Sequence, residues 1–226
     1  AMRISGSPAE RAAAQAALRP LDEYREKLAP SRPAKRDEPA PAPAPRANMF
    51  GTIAQMGYVV RDIEASMAGF VESGIGPWFY LKNVRPGNFT YRGRPSGMAM
   101  DVAVANSGDI QIELIQPVND EPSMYKDFLD AGHEGLQHFA YWSENYQQLY
   151  DRARATGFTV GQEGEIGGSS GRFAYLETEH HPGTVIEISD LGGTKKFVFD
   201  LIKLAAAGWD GSNPIQIVDP ALLSGD

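Results

Sequence analysis

The chain has 226 residues, 42% apolar and 22% charged, with a net charge of −8; that length buries one sizeable core or two small ones, and the make-up is that of an ordinary globular protein. The acidic balance excludes nucleic acid as a main partner, because phosphate binding needs a basic surface. There is no cysteine, which removes disulfide scaffolds, thiolate metal sites and cysteine nucleophiles together.

No run of about 18 apolar residues occurs, so no membrane span and no membrane partner is expected. Residues 1–19 hold no apolar stretch of the kind a secretory signal needs, and a cytoplasmic setting is the default. Residues 1–48 form an N-terminal arm of their own composition. Pro8, Leu28 and the chain between them are rich in good helix formers, with Leu18, Leu21, Tyr24 and Leu28 at helical spacing and Pro20 interrupting. Pro and Ala then alternate from Pro39 to Pro45, a polyproline-type strap or linker. The arm reads either as a poorly ordered tail or as a segment that packs on a partner subunit.

The first module spans 50–117. A β-rich run covers 53–60. A helix follows over 62–73, with Asp62 as its cap, Ile63, Met67 and Phe70 as its apolar stripe, and Gly74 as its stop. Strands are predicted over 78–84, 98–105 and 110–116, with a Gly/Pro/Arg-rich loop or hairpin over 85–97 and a turn over 106–109. The order is β-α-β-β-β. A linker over 118–134 holds a short helix at 124–129.

The second module spans 135–190 and repeats that order. A strand covers 136–142. A helix covers 145–156, with Tyr146, Leu149, Tyr150 and Ala153 on one face. Strands follow over 159–162, 172–177 and 184–189, with a glycine-rich loop over 164–171. That loop lacks the Lys-Ser/Thr of a phosphate-binding motif, and a mobile lid is an open reading of it. The segment 191–226 carries a helix over 195–207 whose apolar face, Phe197, Val198, Leu201, Ile202 and Leu204, covers the sheet or a dimer partner.

An internal repeat fixes architecture. Asp109 to Leu114 aligns with Gly183 to Ile188, which sets Glu113 against Glu187. Ala54 to Val59 aligns with Gln137 to Trp142, which sets Gln55 against His138. The fold class is therefore α+β: two βαβββ modules, paired face to face as a cupped, mostly antiparallel sheet around one polar pocket.

Each glutamate stands between apolar neighbours on a strand. One such residue alone would read as part of a solvated face. Two at equivalent places read as buried carboxylates, and a buried carboxylate must be protonated, paired or bound to a cation. Gln55, Glu113, His138 and Glu187 would supply nitrogen and oxygen donors from four strands. That set suits Zn²⁺, Mn²⁺, Co²⁺, Fe²⁺ or Mg²⁺ rather than copper(I). His180 and His181, beside Pro182-Gly183, read as a surface turn.

Gln55 through Glu64 (QMGYVVRDIE), Gln111 through Pro117 (QIELIQP), Asn119-Asp120-Glu121, Gly135 through Tyr141 (GLQHFAY) and Thr184 through Ser189 (TVIEIS) together resemble the vicinal oxygen chelate superfamily. That is the glyoxalase, bleomycin-resistance and extradiol dioxygenase group; its methylmalonyl-CoA epimerase-like members are the nearest in pattern. The resemblance covers about residues 52 to 190. It implies paired modules around one divalent metal, with the four ligand positions on Gln55, Glu113, His138 and Glu187. The epimerases carry histidine where this chain has Gln55, and often a second histidine where it has Gln137.

The resemblance implies enolate-type proton transfer, by an epimerase, isomerase or lyase, on a small oxygenated or acyl substrate. Glu187 or Glu113 would move the proton. Tyr91, Arg92 and Arg94 from the 85–97 loop, with Gln137, are the expected substrate contacts, since arginines among aromatics grip an anionic or aromatic group. Trp78, Phe79 and Tyr80 read as core. A homodimer is expected. The rival readings are a metal-independent sequestering protein and an Fe²⁺ extradiol-type dioxygenase; the latter usually needs two histidines.

Overall fold

The computed structural model describes residues 49–178 and 184–220. The expected arm over 1–48 and the His180-His181 turn lie outside the described residues.

The elements run β1 (Gln55–Val59), α1 (Ile63–Glu72), β2 (Trp78–Val84), β3 (Gly87–Tyr91), β4 (Arg94–Pro95), β5 (Met100–Ser107), β6 (Ile110–Pro117), α2 (Met124–Asp130), β7 (Gly135–Ser143), α3 (Tyr146–Ala155), β8 (Thr159–Glu165), β9 (Arg172–Glu177), β10 (Val185–Asp190), α4 (Gly193–Ala207) and β11 (Ile215–Val218). Among the described residues, no helix is long and apolar enough to cross a membrane.

Local chemistry explains the first helix. Asp62 stands before α1 in extended conformation, and its carboxylate accepts the Ala65 N–H at 2.9 Å. Ile63 and Met67 are buried one turn apart. Phe70 meets Trp78 with ring centroids 5.5 Å apart, which ties the helix to β2.

The eleven strands among the described residues form one sheet, ordered β11-β2-β5-β6-β1-β7-β10-β9-β8-β3-β4. Its pairings are antiparallel except β1–β6, β7–β10 and β2–β11. The first module contributes β2-β5-β6-β1 and the second β7-β10-β9-β8. They join edge to edge through the antiparallel β1–β7 pair, not face to face.

The repeat register holds in three dimensions. Glu113 sits beside Gly57 across β6–β1, and Glu187 sits beside Ala140 across β10–β7. Counting back two residues sets Gln55 and His138 in equivalent places.

Three apolar clusters divide the two faces. One packs α1 under the first module, through Ile63, Met67, Trp78 and Leu114. A second packs α3 under the second, through Tyr146, Ala174 and Ile188. The third fills the inner face and draws in both α2 and α4, through Tyr125, Leu201 and Ile202, against Val102, Ile115 and Phe173. Trp78, Phe79 and Tyr80 are core, as expected.

Three further features depart from the sequence reading. The 85–97 segment is a hairpin that leaves its own module and pairs with β8 of the other. Its turn places Arg92 and Gly93 at φ 47 and 74, the left-handed pair that a tight hairpin needs. Second, β8 continues to Glu165. Gly164 breaks the sequence pattern without breaking the strand, because Phe89 and Phe173 lie 3.1 Å from where its Cβ would stand. Third, β11 adds a parallel edge strand to β2, where no strand was predicted.

Candidate metal centre

The β1–β7 seam holds the site. Gly57 faces His138 across it, and a Cβ on Gly57 would lie 1.9 Å from His138 Nε2. Only glycine leaves room for that ring. A bulge beside Gly57 shifts the register, so that Tyr58 opposes Leu136 and Gln137 is the extra residue. Gln137 and His138 are both buried as a result.

Glu113 approaches His138 from β6 and Glu187 from β10. Their carboxylate oxygens lie 3.4 Å and 3.2 Å from His138 Nε2. The His138 side chain is fully buried, and those of Glu113 and Glu187 are 15% and 6% exposed. One donor atom from each residue falls within 4.8 Å of the others. Donors bound at about 2.0–2.2 Å to one ion stand about 3–3.5 Å apart, and the two carboxylate-to-imidazole distances match the spacing of a small divalent cation's ligands.

Gln137 orients the imidazole. Its amide nitrogen donates to Met124 O at 3.1 Å, which leaves its carbonyl oxygen 3.0 Å from His138 Nδ1. A carbonyl oxygen only accepts, so Nδ1 carries the proton and Nε2 of the neutral ring has a lone pair. Ligating histidines are typically held by such a bond at the other nitrogen.

Gln55 is buried on the same inner face. Its amide nitrogen donates to Gln111 Oε1 at 2.7 Å. This leaves the carbonyl oxygen as its only atom able to ligate. The three-residue set closes without it.

Two tyrosines that the sequence reading missed complete the surroundings. Tyr175 on β9 places its hydroxyl 3.2 Å from His138 Nε2, and Tyr125 from α2 donates to that hydroxyl at 2.9 Å. Both are buried. The alternation of Phe173, Tyr175 and Glu177 along β9 carries a signal that Tyr175 faces inward. Tyr125 had none, since a single aromatic in a short helix reads as core.

The three ionisable groups polarise one another. Burial opposes a charge on His138, but its bonds to Glu113 and Glu187 outweigh that and lift its pKa from 6.5 to about 9. Burial pushes the Glu113 carboxyl above the usual range, and the Glu187 charge adds to it. Glu187 is buried too, yet His138, the Lys195 charge and the bond from Tyr175 hold its carboxyl below that range. The two glutamates are thus driven apart in acidity, as in sites where one carboxyl carries a proton and the other a charge.

A cleft of about 1060 Å³ opens beside this set and meets it at Gln137 and Val185. Glu113, His138 and Glu187 do not line it. Of the expected substrate contacts, Arg92 and Gln137 line the cleft. Arg92 pairs with Asp127 at 3.5 Å and Glu177 at 3.3 Å. Tyr91 sits behind it, with its hydroxyl 2.5 Å from Asp127. Arg94 is exposed on β4, outside the lining. Glu163 and Glu177 line the cleft, whereas Glu165 accepts a bond from Asn88 at 3.3 Å.

The family model of the Glyoxalase/Bleomycin resistance protein/Dioxygenase superfamily matches residues 54–175. Glu187 lies beyond that span, so its placement rests on the register with Glu113. No curated protein matches the chain. Among solved structures, methylmalonyl-CoA epimerase from Mycobacterium tuberculosis is similar, at 16% identity and a TM-score of 0.47, over 69% of this chain and 97% of that one. A hypothetical protein from Bacillus halodurans is 18% identical with a TM-score of 0.46, over 63% and 96%. A variant of the Streptomyces coelicolor epimerase in complex with 2-nitronate-propionyl-CoA is 17% identical with a TM-score of 0.42, over 62% and 94%.

Proposed function

The chain belongs to the glyoxalase/bleomycin resistance protein/dioxygenase superfamily, and on that premise we propose that it is a divalent-metal-dependent enzyme of enolate-type proton transfer. The reaction is that of an epimerase, isomerase or lyase on a small oxygenated or acyl substrate. Glu113, His138 and Glu187 hold one ion, with Gln55 as a further neutral oxygen donor. The carrying observation is the convergence of three donors from strands of both modules, with His138 and Glu187 buried and Glu113 half-buried.

An ion held there supplies Lewis acidity towards a substrate oxygen on which charge develops. The protein supplies the rest. Glu187, whose carboxyl stays ionised, anchors the charge of the set. Glu113, more exposed and raised in pKa, takes up and returns the substrate proton. Gln137 keeps His138 in the ligating tautomer. Arg92 and Gln137 position the part of the substrate that reaches the cleft.

The test is metal analysis of protein purified without chelator, beside Glu187→Gln. We expect about one divalent ion per chain in the wild type and a large loss in the variant. Absence of stoichiometric metal under every loading condition ends this reading. A homodimer in a cytoplasmic setting belongs to the same proposal, and sedimentation velocity checks the dimer.

One observation favours a second reading. The cleft is large and has none of the three donors in its lining, which suits a sequestering protein that binds a small molecule without metal. Ligand binding indifferent to EDTA and to loss of His138 would select it.

A further inference from the structure

One charged group beside the metal-centre set takes no step in the reaction described above beyond its field on Glu187. Helix α4 packs on the inner face against β5 and buries Leu201, Ile202 and Ala205 there. Its first turn carries Lys195 beneath the Phe199 ring, 5.6 Å from the centroid. The ammonium reaches β10 and donates to Ser189 Oγ. Ser189 is fully buried and lies two residues from Glu187, on the same face of the strand. Lys195 thus approaches the set from the α4 side, while the cleft meets it at Gln137 and Val185.

A lysine kept only to neutralise a buried glutamate would pair with it, because contact with a carboxylate is the best compensation that a buried ammonium finds. Lys195 bonds a hydroxyl instead, although the charges of Glu187, Glu113 and Asp190 reach it. An ammonium has three donors. Among the described residues Ser189 takes one, and the carboxylates whose charges reach the ammonium are Glu187 and Glu113 of the proposed metal set and Asp190.

We infer that Lys195 binds an anionic oxygen of the substrate, a carboxylate or an enolate, while the Glu113–His138–Glu187 set holds the adjoining oxygen. Lys195 is then the residue that selects a carboxylate- or enolate-bearing substrate over a neutral one. This rests on the metal-centre reading above. It adds a specificity residue from α4, outside both βαβββ modules and outside the span that the family model matches.

The test uses the full chain loaded with one divalent ion, Zn²⁺ or Mn²⁺. The first titration is of metal alone. The second is of oxalate, a planar dianion that resembles an enolate of a small acid, with imidazole as a neutral metal ligand for comparison. Lys195→Met should weaken oxalate by roughly 10- to 100-fold, the range for a lost charge-assisted bond. Imidazole should change by less than about threefold. Metal binding should be unchanged or tighter, since a like charge has been removed. Lys195→Arg should recover most of the oxalate affinity. Lys195→Gln, which keeps the polarity and lacks the charge, repeats the measurement should the methionine variant fold poorly, and should show the same loss. Oxalate affinity at the wild-type level in a folded variant overturns the inference, and so does an equal loss for oxalate and imidazole. A wild type that takes no metal fails in the first titration, which marks failure of the metal-centre reading itself.

Discussion

Gly57 and His138 face each other across the seam between the modules so closely that a Cβ on Gly57 would stand 1.9 Å from His138 Nε2. The ring cannot retreat without breaking its bond to Gln137. Gly57→Ala should therefore push the imidazole off the two glutamates. Overpacking of this kind costs about 1–3 kcal/mol of stability, and misplacing a ligand should weaken metal binding roughly 10- to 100-fold. Competition against a chromophoric chelator measures the second effect. Wild-type affinity in the variant would mean that His138 does not ligate.

Gln137 has two connections, to Met124 O and to His138 Nδ1. Gln137→Met keeps the volume and removes both. The imidazole then loses the acceptor that fixes its tautomer. A fall in metal affinity of about 10- to 100-fold is expected, as for other bonds that support a ligating histidine. If metal affinity holds and only affinity for a bound ligand falls, Gln137 acts through the cleft that it lines.

The metal-free protein should lose stability as pH rises. In the folded chain His138 titrates near 9, against 6.5 for the ordinary group. A raised pKa means that the folded state holds the proton more tightly, so the contribution is fully present below about 6.5 and is lost on passing through about 9. The difference corresponds to about 3 kcal/mol. Urea unfolding in EDTA at pH values on both sides of this window would measure it. Metal-loaded protein should lack the effect, because its His138 is already neutral, and metal affinity itself should rise over the same window as the proton is displaced. Stability in EDTA that does not fall between pH 6.5 and 9 would show the imidazole to be uncharged in the metal-free fold.

The βαβββ order and the matching places of Glu113 and Glu187 were legible because they are written twice, and His138 followed from its match to Gln55. Glu113 and Glu187 stand between apolar neighbours at matching places, and the pairing of β1 with β6 and of β7 with β10 keeps that match. What it did not carry depends on contacts between distant segments. Nothing local to residues 87–91 says that this strand will pair with β8. The strand Ile215–Val218 has four residues and borrows its order from β2. Gln137 turns inward only through the bulge in β7. Tyr125 and Tyr175 resemble ordinary core aromatics until their hydroxyls are seen to meet.

That hydroxyl pair supports the last prediction. Tyr125 donates to Tyr175 at 2.9 Å, and both lie in the apolar inner core. Tyr175→Phe leaves the Tyr125 hydroxyl buried without its acceptor and removes the bond that helps hold Glu187 ionised. An orphaned buried hydroxyl costs about 1–3 kcal/mol. Tyr125→Phe removes only a donor and should cost less, since Tyr175 keeps its partners at the metal centre. In the double variant no hydroxyl is stranded, so the loss should be smaller than the sum of the single losses by about 1 kcal/mol. Urea unfolding of the four proteins closes the cycle. Metal affinity separates the two roles: Tyr175→Phe should lower it and Tyr125→Phe should not, because only Tyr175 bonds to a ligand. Strict additivity in stability, together with unchanged metal affinity, would reduce both tyrosines to core packing.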